Sequence, residues 1–159
     1  MLALRLVHLI ETHSEKLSAK ILGSFLNSPQ CSDLHKIPPE ELHARTHELL
    51  EHVSDWLTTK TEKELEERYT DLGRRRAAQG VKLSHFIWAL GATREHIHQF
   101  AREEAMMGNT VELVGRLELM SRLDRFFDHA IYYTCQGYEE AMRREVAHAQ
   151  RTLDIVASF

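Results

Sequence analysis

Chain-breaking residues are scarce in this sequence, and that limits what it can fold into. Of 159 residues only 3 are proline and 7 glycine, and two of the prolines are adjacent, at Pro38-Pro39. Proline inside a helix removes a hydrogen bond and clashes with the preceding turn. Glycine weakens a helix by roughly 0.5–1 kcal/mol relative to alanine. A chain with so few of either is free to run in long helices. Hydrophobic residues make up 43% of it, enough for a packed core, and the length fits one domain. Apolar residues recur at helical spacing, and no strand-like alternation or internal repeat competes. The expected fold class is therefore all-α: a bundle of about five helices, with a long projecting C-terminal helix.

The breakers divide the five. A first helix over about Leu2 to Leu26 carries Leu6, Ile10, Leu17, Ile21 and Phe25, and Asn27-Ser28-Pro29 ends it. A loop follows to Ile37. Pro39 suits the first turn of a second helix reaching about Thr58, and Glu40-Glu41 complement its positive end. A third, about Thr61 to Gln79, sets Leu65, Tyr69 and Leu72 on one stripe, and Gly80 stands where a left-handed cap would stop it. The fourth runs from about Leu83 to Glu103. Met107-Gly108-Asn109 then breaks the chain, and Thr110 is a good N-cap. The fifth helix runs from Val111 to the end, with room for a kink near Gly137.

Its last part has a pattern of its own. Tyr138, Met142, Val146, Ala149, Leu153 and Val156 follow one another, from Met142 onward, at steps of four, three, four and three. That is the seam of a coiled coil, and charges of both signs flank it, among them Glu139, Glu140, Arg143 and Arg144. The expectation is a bundle over residues 1–137 and a coiled-coil helix over 138–159 that makes a parallel homodimer. A helix that stops uncapped on an apolar stripe also reads as leading into a further domain. The alternative is that the segment folds back and completes the bundle, but no turn signal favours that.

Composition excludes several functions. Twenty Lys+Arg against 24 Asp+Glu give a net charge of −4, with no basic stripe for nucleic acid. The longest apolar run, Phe86 to Ala92, is far short of the ~20 residues that span a bilayer, and the N-terminus lacks a secretory apolar core. Cys31 and Cys135 lack Cys-x-x-Cys spacing and read as inert thiols in a reducing compartment. A cytoplasmic protein without membrane or nucleic-acid partners is expected. No nucleophile–base motif or phosphate loop is present, so no catalytic residue is assigned. Asp124 and Asp128, near Arg125 and His129, read as surface charge. His43, His47 and Glu51 have spacing that suits zinc, but no fourth ligand is apparent, and no metal or other cofactor is expected. The alternative is a haem-binding, globin-like gas sensor using His96.

The sharpest local signature is Leu72-Gly73-Arg74-Arg75-Arg76-Ala77-Ala78-Gln79-Gly80-Val81-Lys82-Leu83. Arg76 and Gln79 extend the third helix's apolar stripe toward the core, while Arg74 and Arg75 lie off it. A guanidinium there can bind the last carbonyls of its own helix or a carboxylate on a neighbour. Arg74, Arg75, Arg76 and Gln79 are thus a candidate surface for an anion or partner, and capping plus solvated charge is the plainer reading. Trp88, with Gly91, Ala92 and Glu95 on a second face of the fourth helix, suggests that another helix packs there.

That run, with Pro39-Glu40-Glu41-Leu42, the opening helix and the helix carrying Arg94, resembles the RsbRD-N family, the N-terminal sensory domain of RsbR-type co-antagonists. The resemblance reaches about Tyr133. It implies an all-helical, non-enzymatic input domain of stressosome signalling, related in architecture to globin-like sensors without haem. It also implies a downstream effector in cis, of STAS or histidine-kinase type, reached through the C-terminal helix.

Overall fold

A computed structural model of the chain describes residues 4–104 and 110–159. Among them there is no strand, and the fold is all-α. Helices α1 (Leu4–Thr12) and α2 (Ser14–Leu26) divide the expected first helix at His13, where ψ is 18°. The His13 N–H still bonds the Leu9 carbonyl, and its ring Nδ1 lies on the same oxygen, both at 2.9 Å. In place of the expected loop, a 3₁₀-helix spans Pro29–Lys36 and buries Cys31 and Leu34.

The second expected helix is also interrupted. Helix α3 (Pro39–Glu51) stops at His52, and the chain re-enters a wide π-helical turn over Asp55–Thr59. The Lys60 N–H closes that turn on the Asp55 carbonyl at 2.7 Å. The widened turn lets Val53 stay buried while Trp56 packs on Tyr69 and Phe126, with ring centroids 6.1 and 5.8 Å away.

Helix α4 (Glu62–Ala78) opens on a capping box: the Thr61 side chain accepts from the Glu64 N–H, and the Glu64 carboxylate accepts from the Thr61 N–H. Two orphan donors are satisfied reciprocally, which fixes the start. Helix α5 (Leu83–Glu104) follows, and α6 (Thr110–Ala157) runs unbroken for 48 residues. The expected breaker at Met107-Gly108-Asn109 lies outside the described residues.

The core is one continuous cluster in which Ile10, Ile21, Leu50, Ile97 and Leu119 are fully buried. The largest interhelical contact joins α4 to α6. Two glycines bring these helices together. A Cβ on Gly73 would lie 2.1 Å from the Thr134 carbonyl oxygen, and one on Gly137 would lie 2.0 Å from the Thr70 carbonyl oxygen. The close approach is reciprocal, backbone against backbone, and helix α6 passes through Gly137 without interruption. From Met142 onward every residue is exposed, so the last stretch of α6, about 24 Å at 1.5 Å per residue, stands clear of the bundle. No helix among the described residues is long and apolar enough to cross a membrane.

Candidate functional site

The arginine run sits where α4 turns into α5. The Gly80 N–H bonds the Ala77 carbonyl and the Val81 N–H bonds the Arg76 carbonyl, both at about 3 Å. Gly80 has φ +74°, a left-handed conformation that glycine adopts without steric cost. This pair of bonds is a Schellman cap, which satisfies the last carbonyls of α4 through the backbone. The arginine side chains are therefore free for other acceptors.

Their acceptors are carboxylates. Arg76 is 1% exposed, and its guanidinium donates to Glu41 at 3.2 Å and to the Gln79 side-chain oxygen at 2.7 Å. It also lies 5.0 Å from the centre of the Phe86 ring, a cation–π distance. Gln79 donates to the other Glu41 oxygen at 2.9 Å, and Arg75 grips the same carboxylate through two nitrogens. Hydrogen bonds from Arg75 above all, then from Gln79 and Arg76, hold the Glu41 carboxyl down at about 2 despite desolvation. Burial pulls the Arg76 guanidinium below its usual range while Glu41 opposes it. Glu41 belongs to the first turn of α3, so this cluster fastens the start of α3 to the end of α4.

Asp33 and Tyr138 fasten the other side of the corner. Asp33, on the 3₁₀-helix, accepts the Lys82 N–H at 2.9 Å at the start of α5, and that bond is the main reason its carboxyl sits below the ordinary range. Tyr138, on α6, donates its hydroxyl to the Val81 carbonyl at 2.7 Å. Arg74 donates to Asp71 at 2.7 Å and to Glu140 of α6 at 2.9 Å. Of the four residues expected to form an anion or partner surface, Arg75, Arg76 and Gln79 converge on Glu41, and Arg74 reaches α6 instead. Glu41, Asp33 and Glu140 complete the site. Sequence signalled Glu41 only as a charge on a helix dipole, Glu140 only as a flank of the seam, and Asp33 not at all.

The other candidates fall elsewhere. His43 and His47 stack on α3 with centroids 5.9 Å apart and direct Nε2 at Glu15 of α2, at 3.2 and 3.3 Å. They pair two helices, and no group of three or more His, Cys, Asp or Glu among the described residues is arranged to hold a metal ion. His96 bonds the Ala92 carbonyl through Nδ1 at 2.8 Å. Asp124 and Asp128 answer His98 and Arg94 of α5, at 3.0 and 3.2 Å. Trp88 is half exposed over a groove of about 790 Å³ that it shares with Gly91, Ala92 and Ile131. Of the seam residues, Tyr138 is half buried at the corner, and Met142, Val146, Ala149, Leu153 and Val156 are exposed.

No curated protein and no solved structure gives a significant match to the chain. A family model described as the RsbT co-antagonist protein rsbRD N-terminal domain matches residues 17–153, a span that takes in the arginine corner, the α4–α6 crossing and most of the exposed seam. The chain belongs to the RsbT co-antagonist rsbRD N-terminal domain family.

Proposed function

We propose that this chain is a non-enzymatic input domain of a stressosome-type regulator, in which residues 1–137 receive a signal and residues 138–159 carry it as a homodimer to an effector of STAS or histidine-kinase type. Membership of a family of sensory N-terminal domains supports the general role. The observation that carries the finer reading is the continuity of α6. One unbroken helix holds Leu119, Leu123 and Phe127 in the core and then exposes Val146, Leu153 and Val156. Apolar residues exposed at heptad spacing are stabilised by a second copy. The same stripe runs back through Cys135 to Ile131 in the Trp88 groove, so two copies joined along it would also cover Trp88.

Transmission requires the bundle to favour one pose of α6 over another, and a ligand shifts that balance only by binding one pose better. The Arg74–Glu140 pair and the Tyr138–Val81 bond are the contacts through which the corner grips α6 as it leaves. The test joins the chain to a STAS effector. Val146→Glu with Leu153→Glu should give a monomer by light scattering, where the parent is a dimer. Arg74→Ala should keep the dimer and change the effector's rate of phosphorylation. A parent that is monomeric at high concentration, or an Arg74→Ala protein with unchanged output, overturns the reading.

A further inference from the structure

The π-helical turn forms one wall of a cavity of about 440 Å³ with Trp56 and Leu57. Phe126 and Leu65, both buried, line it as well. Arg122, Arg125 and His129 line it from α6, and Lys60 lies 5.5 Å from the centre of the Trp56 ring. The volume is that of a small-molecule site, about 300–1,000 Å³. π-Helical turns inside helical proteins are frequent at functional sites because the wider turn redirects side chains.

The lining is unbalanced in charge. Lys60, Arg122 and Arg125 supply basic side chains, and Glu62 is the only carboxylate among the lining residues. Glu62 is already engaged, accepting from the Tyr133 hydroxyl at 2.6 Å and pairing with His129 Nδ1 at 2.6 Å. Glu118 answers Arg122 at 3.0 Å. Arg125 has no hydrogen bond or ion pair within the described residues, and its charge reaches Glu62 only at longer range. An exposed guanidinium at the mouth of an aromatic-lined cavity is a ready fork for a planar anion.

We propose that this cavity binds a small planar organic carboxylate, its carboxylate on Arg125 and its apolar face against Trp56. A flat ring suits the edge-and-face arrangement already present, in which Phe126 meets Trp56 at 5.8 Å and Tyr69 at 5.8 Å. A carboxylate carried on a flat ring uses both the Arg125 fork and the Trp56 wall, whereas inorganic phosphate has no apolar face to set against Trp56. The carboxylate would be held by the same helix that emerges from the bundle. Occupancy therefore acts on α6 directly, and this last step rests on the input-domain reading while the binding itself does not.

Naphthoate, titrated into the whole chain and followed through the tryptophan indole N–H resonances, tests the site. Trp88→Phe assigns the Trp56 signal. The Trp56 signal should shift and saturate. Arg125→Gln, at an exposed and unpartnered position, should keep its amide spectrum and bind about tenfold or more weakly, the usual loss for a charge-assisted pair. Neutral naphthamide should bind comparably weakly, and inorganic phosphate should leave Trp56 unmoved. No shift with naphthoate, or equal binding by Arg125→Gln or of naphthamide, overturns the proposal. Saturable binding with unchanged effector output leaves the site standing and removes its role as the stimulus. A responsive effector with an empty site does the reverse.

Discussion

Protonating Glu41 removes the negative charge against which Arg76 is buried. The Glu41 carboxyl titrates at about 2 in the fold and near 4.5 when unperturbed. A carboxylate held below its unfolded value contributes stability that is complete above that value and is lost as pH falls through the folded one. The contribution should therefore fade between about pH 4.5 and pH 2, by an amount on the order of 3 kcal/mol. Glu41→Gln lacks it at every pH and leaves the guanidinium without its counter-charge, a change that costs about 3–5 kcal/mol when a buried pair is broken. Urea unfolding at a series of pH values should show the variant well below the parent at neutral pH and the two curves converging in acid. A constant gap down to pH 2 would mean that Glu41 is not the partner. The direction in which Arg76 points is legible from its spacing on the Leu65–Tyr69–Leu72 stripe. Its acceptor is not, because Glu41 lies 35 positions away on another helix and only tertiary packing brings them together. Sequence does not single out Arg125 for a similar reason: its surroundings come from three separate elements.

Helices α4 and α6 approach as closely as they do because Gly73 and Gly137 carry no Cβ. Gly137→Ala sets a methyl against the backbone of Thr70, which cannot rotate away, so the two helices must separate. We expect a loss of about 3 kcal/mol, the upper part of the range for overpacking. Gly23, within α2, has open space where a Cβ would stand, so Gly23→Ala should gain about 0.5–1 kcal/mol from helix propensity alone. Thermal unfolding of the two variants should move in opposite directions. The same contrast explains what the sequence discloses about elements. Boundaries set by local chemistry, such as the Thr61 cap, the Gly80 turn and Pro39, are legible. The breaks at His13 and His52 are not, since neither carries a proline or glycine and the apolar helical spacing runs on through both. Gly137 is visible as a possible bend, but the helix it faces cannot be read from its own neighbours in the chain.

As a whole, the molecule divides between a shared hydrophobic cluster and a helical arm with no cover of its own. An isolated helical segment of 16 residues, Met142 to Ala157, is marginal in water. If a second copy covers it, amide protection there should rise with protein concentration, while protection around Ile97 and Leu119 should not. Hydrogen exchange at two concentrations reads this directly, and equal, weak protection of the arm at both would count against pairing. The crossing at Gly137 also sets a ratio. Arg125 lies about 18 Å from it along α6 and Ala157 about 30 Å on the other side, at 1.5 Å per residue. A stiff rod held at that fulcrum swings its far tip further than its near end, so each ångström of displacement at Arg125 becomes well over one at Ala157, in the opposite sense.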